Sequence, residues 1–287
     1  MTTPATTFRL QLARLLNQFS ADGLGLASAL NELVVESTEP EASLPYRNSV
    51  IGYCPLLDAR IDAMRVLVVA YDNFGAMADV LANSRRIGFA FSSLARSTWE
   101  ALGQAWYLLE PQTDFEMLNR YLAKRLSQLK TVTGKTRLDP TSEEHLIFTE
   151  RRAVLTDAIK DAQLTPEKMP GYTELAASLY NTVHVDAGPA DAGLLYSRLS
   201  SIAHGETGQL RDFVIPGSDS QPHPTTGVHE VELGPQDSYL AEIAGTLVTL
   251  NIPFIDRLHS QYPSLTTQLQ AVAWAGAAVT KLVPVEP

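Results

Sequence analysis

The chain has 287 residues, 45% of them hydrophobic, enough to bury a substantial core, and carries a formal charge of −10 (22 basic against 32 acidic side chains). That balance excludes broad, nonspecific binding to nucleic-acid phosphates, although not a small, locally basic RNA site, and no DNA binding is expected. Cys54 is the single cysteine, so neither an internal disulfide nor a cysteine zinc cluster is available.

In chain order, residues 5–35 read as one or two amphipathic helices: Leu10, Leu12, Leu15, Leu16 and Phe19 recur at helical steps, with Ala21-Asp-Gly23 as a candidate interruption. Residues 36–56, with Pro40, Pro45 and Pro55, read as a loop in which Cys54 fills space. A long helix over about 57–83 carries the stripe Ile61, Met64, Leu67, Val68, Tyr71 and Phe74. The polar break Ser84–Gly88 precedes a helix over about 88–109 that is apolar on nearly every side, which marks a central, buried element. Further helices are predicted over about 113–133 and 141–162, the latter charged, surface-lying and capped by Ser142, with a short one inside 165–183. Another helix starts near Pro189 and ends at Gly205. Proline and glycine dominate 205–235, where a flexible loop with a small hairpin is predicted; helices follow over about 236–261 and 264–282.

These elements define an all-α helical bundle, read as a single domain over 1–287 with its core at about 57–262 and an N-terminal helical extension at 5–35. The N-terminus lacks the charged and apolar regions of a signal peptide. No stretch is read as approaching the ~20 apolar residues that cross a bilayer. A soluble, cytoplasmic protein without membrane contact is the expectation.

Polar residues on such helices need partners. Arg96 and Glu100 stand four apart on the apolar helix, one above the other. Tyr196, Ser200 and His204 also recur at four-residue steps, with Ser201 beside them, and Arg198 lies six before His204. Six residues turn a helix by about 600°, leaving Arg198 and His204 some 120° apart, within reach of a shared groove. An imidazole at a helix C-terminus is favoured in its charged form and can exchange protons near neutral pH. The pattern fits either a polar site inside the bundle or a structural network joining two helices. Under both readings Glu100 is expected near His204 or Arg96, with Ser200 close by.

Arg198-Leu-Ser-Ser-Ile-Ala-His204 resembles the Arg-x4–6-His motif of the HEPN superfamily of helical proteins, many of which are metal-independent ribonucleases of toxin–antitoxin and anti-phage systems. The order Arg96-x3-Glu100, then Ser200/Ser201 with His204, is similar to bacterial helical families of unknown function related to abortive-infection proteins. The likeness covers about 57–205; HEPN nucleases commonly have a polar residue after the arginine, where this chain has Leu199. The resemblance implies a homodimer with two motifs facing each other and RNA as substrate. It also implies Arg198 on the scissile phosphate, His204 handling a proton, and Arg96 and Glu100 in support.

No cofactor or metal is expected. The six histidines lack ligand spacing, Gly23-Leu-Gly25 lacks a dinucleotide pattern, and Thr133-Gly-Lys-Thr136 lacks the upstream glycine of a phosphate loop, since position 129 is Leu. Asp58 and Asp62, four apart, read as a solvated edge. The competing expectations are a non-catalytic helical interaction module in which Arg96, Glu100, Ser200 and His204 form a structural network, and a bundle that binds a small molecule.

Overall fold

The computed structural model describes residues 4–83, 88–135, 139, 141–185, 189–203 and 236–282. They form α1 (Pro4–Glu36), α2 (Pro55–Asn83), α3 (Gly88–Leu109), α4 (Asp114–Lys135), α5 (Glu143–Asp161), α6 (Tyr172–Val183), α7 (Pro189–Ala203), α8 (Asp237–Thr249), α9 (Ile252–Gln261) and α10 (Thr266–Thr280). No strand occurs among the described residues, only an isolated bridge between Asn48 and Gly52, so the fold is all-α. The predicted hairpin at 205–235 lies outside the described residues.

Helix ends depart from the sequence reading for local reasons. α1 runs unbroken through Ala21-Asp-Gly23. Gly23 serves contact, not interruption: a Cβ there would come within 2.1 Å of the Tyr71 ring. The loop after α1 contains a 3-10 helix, Glu41–Tyr46, and then a tight turn. Asn48 Oδ1 accepts from the Val50 and Ile51 N–H groups at 2.8 and 2.6 Å, and Gly52 supplies a φ of 133°. The helix expected at 236–261 divides into α8 and α9. Pro253 has no N–H to bond Thr249, and buried Asn251 donates its side-chain amide to the Leu247 carbonyl at 2.9 Å. A second 3-10 turn, Pro263–Leu265, leads into α10. Ser142 caps α5 as expected, accepting from the His145 N–H at 3.2 Å.

The chain divides into two compact units. The first comprises Met1–Ala29, Val66–Gly103 and Tyr172–Pro287. In it Phe19 of α1 packs edge-on against Phe74, with ring centroids 4.8 Å apart, and against Tyr71. Arg9 of α1 pairs with Asp237 at the start of α8 at 2.8 Å, where the helix dipole also favours the carboxylate. α6 packs on α7, and α10 on α8 and α9. The second unit comprises Leu30–Arg65 and Gln104–Gly171. There α4 packs on α5, and α5 buries only Leu155 and Ile159, which makes it surface-lying as predicted.

One expectation about hydropathy is corrected. The segment Asp237–Gln261, which α8 and α9 share, contains an 18-residue window with a mean hydropathy of 1.3, apolar enough to cross a membrane by length and composition, and 67% of that window is buried within the fold. A core helix passes the same test because the protein interior and the bilayer select the same side chains.

Within the first unit, α3 is buried as its sequence demands: Phe91, Ala95, Trp99 and Leu102 are wholly inaccessible. The Trp99 indole N–H donates to the Ala176 carbonyl of α6 at 3.2 Å, and its ring stacks on Tyr180 at 5.9 Å. Gly103 lets the helices approach, since a Cβ there would sit 3.2 Å from the Leu175 backbone. Trp99→Ala removes these contacts and leaves a cavity, and is expected to cost about 3–5 kcal/mol in urea denaturation. An unchanged midpoint would contradict this packing.

Candidate functional site

α3 carries Ser92, Arg96 and Glu100 at four-residue steps, a single stripe along a buried helix. α7 supplies Tyr196 and Arg198, and α8 supplies Tyr239. The Arg96 Nε donates to Glu100 Oε1 at 2.8 Å, and the Tyr196 hydroxyl donates to the same oxygen at 2.6 Å. Arg96 and Glu100 keep 24% and 20% of their side-chain surface exposed, whereas Tyr196 keeps only 4%. The cluster thus joins α3 to α7 at the edge of the core, with the two charges turned partly outward.

Electrostatics follow from this placement. Burial, and then the Glu100 carboxylate, push the Tyr196 hydroxyl up to about 12, against a smaller opposing pull from Arg96. Burial works against the Arg96 charge, but hydrogen bonding to Tyr196 and Glu100 outweighs it, so the guanidinium is held above its ordinary value. Trp99 meets Tyr196 edge-on, with centroids 6.1 Å apart and planes at 85°, and fixes the ring that presents the hydroxyl.

Arg198 belongs to a different contact. Two residues past Tyr196 it is turned by about 200° around α7, and its guanidinium lies over the Tyr239 ring, 5.2 Å from the centroid. The Tyr239 hydroxyl is 3.1 Å from the Ser92 Oγ, and both residues are buried. The α3 stripe therefore makes two polar junctions, Glu100 with α7 and Ser92 with α8. The Arg96–Glu100 pair is as expected, and Tyr196 joins it directly. Ser200 and Ser201 are half-buried on α7. His204 lies outside the described residues, and so does the expected Glu100–His204 contact. Sequence reasoning missed Ser92 and Tyr239, although the four-residue step from Ser92 to Arg96 was available as a signal.

The second unit holds a polar cluster of its own. Lys124 of α4, 2% exposed, pairs with Asp62 of α2 at 2.8 Å. Asp58, one turn before Asp62, is raised above its ordinary value by burial and by Glu39, against lowering by Arg125 and Arg65. Glu39 accepts the Leu56 and Leu57 N–H groups at 2.9 Å each and so caps α2. Asp58 and Asp62, read from sequence as a solvated edge, are instead half-buried and engaged, because α4 brings a lysine that needs a counter-charge. Cys54 is half-buried with a free thiol. Among the described residues no group of three or more His, Cys, Asp or Glu is arranged to hold a metal.

No family model, no curated protein and no solved structure matches the chain.

The raised Tyr196 group gives a pH test. A hydroxyl whose folded value of about 12 lies above its ordinary 10 stabilises the fold below pH 10, and that contribution is lost as pH rises toward 12. Wild type is therefore expected to lose stability relative to Tyr196→Phe across that window. The wild-type-minus-variant phenolate absorbance should rise near pH 12; a rise near pH 10 would contradict the burial of the hydroxyl together with its Glu100 contact.

Proposed function

We propose that this chain is a HEPN-like helical protein in which Arg96, Glu100 and Tyr196 are positioning groups and Arg198 and His204 are the reacting pair of a metal-independent ribonuclease. The observation that carries the division of roles is the shared oxygen: Glu100 Oε1 takes both the Arg96 and the Tyr196 hydrogen bonds. A carboxylate committed to two donors is a poor base, and a good anchor for α7, the helix that carries Arg198. In this reading Arg198 neutralises the scissile phosphate. The RNA 2′-hydroxyl loses its proton to a general base and attacks the adjacent phosphorus. The 5′-oxygen leaves with a proton, and a 2′,3′-cyclic phosphate remains. His204 handles one of these protons. A net charge of −10 restricts RNA contact to a local patch, and the Arg-x5-His motif implies a homodimer that pairs two such patches. A cytoplasmic setting, where RNA is available, fits this activity.

A second reading, a non-catalytic interaction module, is favoured by one contact: Arg198 lies on the Tyr239 ring, where its stem and charge contribute to packing between α7 and α8. The test is RNA cleavage by wild type, His204→Ala and Glu100→Gln, each with a melting curve. The ribonuclease reading expects His204→Ala to lose cleavage at least about 100-fold with its melting temperature kept, while Glu100→Gln lowers the melting temperature. Absence of cleavage by wild type, or cleavage that survives in His204→Ala, would overturn the ribonuclease reading. Lowered melting of Glu100→Gln together with an uncleaved substrate would favour the module.

A further inference from the structure

A groove of about 570 Å³ opens in the second unit between α4 and α5, beside the turn at Ser49 and Val50. Its volume falls in the range of small-ligand sites, roughly 300–1,000 Å³. Arg125, Leu129 and Val132 line it from α4, and Phe148, Arg151 and Val154 from α5. Each trio recurs at three- or four-residue steps and so forms one helical stripe. Leu129, Val132, Phe148 and Val154 give the walls apolar stretches, interrupted by Gln128 and Glu150; α5 buries only Leu155 and Ile159 and leaves Val154 44% exposed.

The charges sort the ligand. Arg125 is held by the carbonyls of Ile51 at 2.6 Å and Val50 at 3.3 Å, and its field acts on Asp58. It shapes the end of the groove and already faces carbonyl oxygens and a carboxylate. Arg151, on the exposed side of α5, lies over the Phe148 ring at 5.9 Å and offers its charge beside an aromatic wall. Glu150 also lines the groove. Two arginines against one glutamate leave a lining charge of 2 − 1 = +1, and with Arg125 committed to the Ile51 and Val50 carbonyls Arg151 is the group placed to pair with a single negative charge.

We propose that this groove binds a small organic monoanion with an apolar body. The body lies along Leu129, Val132, Phe148 and Val154, and the anionic group pairs with Arg151. The site is separate from the Arg96–Glu100–Tyr196 cluster and does not depend on the ribonuclease reading.

The probe is 1-anilinonaphthalene-8-sulfonate, with N-phenyl-1-naphthylamine as the same ring system lacking the sulfonate. Fluorescence titration of the full chain is expected to show saturable, one-site binding of the sulfonate. Arg151→Gln is expected to weaken it by about tenfold and to leave the amine little changed. Val154→Trp, at an exposed position, is expected to block both probes by filling the groove. Melting curves of each variant separate site binding from uptake by an expanded state; should Val154→Trp unfold the chain, the surface change Arg151→Gln still decides. No saturable binding, or equal affinity of the sulfonate for wild type and Arg151→Gln, would overturn the proposal. Displacement of the probe by an RNA oligonucleotide, or a dimer in sedimentation that excludes the probe and is broken by Val154→Trp, would overturn it in favour of a polyanion or of a second copy.

Discussion

A helix with most of its surface in the core cannot leave a buried polar group without a partner, and α3 is that helix, with only the face of Phe89, Ala90, Ser93 and Ser97 exposed among its described residues. Trp99, Phe91 and Leu102 draw residues 88–103 into the core of the first unit, and Ser92, Thr98, Arg96 and Glu100 travel with them. Each finds a different solution: Thr98 donates back to the Leu94 carbonyl at 2.8 Å, Ser92 meets Tyr239, and Glu100 collects Arg96 and Tyr196. The net worth of each bond is only about 0.5–1.5 kcal/mol, but breaking one leaves its partner desolvated at a cost of about 1–3 kcal/mol. The network therefore does more to fix the position of α7 against α3 than to raise total stability. A positioned α7 is what any chemistry based on Arg198 would require.

Close approach of helices in the same unit has a second source. Gly23 stands against the Tyr71 ring and Gly103 against the Leu175 backbone, so the absence of a side chain sets the interhelical distance at both places. Trp99 and Phe19 fill the space next to these contacts, and their ring pairs with Tyr180, Tyr196, Tyr71 and Phe74 are edge-on or stacked. Aromatic burial thus supplies the driving force, and the hydrogen bonds select one arrangement among those that would bury the same area.

The two units handle charge differently. In the first, Arg96 and Glu100 stay partly exposed and share a hydroxyl. In the second, Lys124 is taken fully inside against Asp62, and Glu39 closes the start of α2. A buried lysine with a carboxylate partner costs desolvation that the pair only partly offsets. Its position is therefore best understood as fixing the register of α4 on α2 within that unit, beside the groove that Arg125 and Arg151 line.

Sequence alone determined the helical class, because apolar residues recur at three- and four-residue steps from Leu10 to Val279 and strand alternation is confined to a few residues. It also determined the burial of α3, the Ser142 cap and the Arg96–Glu100 pair, all of which follow from short-range spacing. It left open whether Gly23 interrupts α1, because the neighbour that requires a glycine there is 48 positions away (71 − 23). It ran one helix through Asn251, where Pro253 withdraws a donor, and took Asp58 and Asp62 for a solvated edge. Only the tertiary structure decided that Tyr196 bonds Glu100, that Arg198 turns to Tyr239, and that Lys124 claims Asp62. Each of these joins residues at least 41 positions apart (239 − 198). Periodicity specifies which face of a helix is buried, but which helix lies against that face depends on how the whole chain packs.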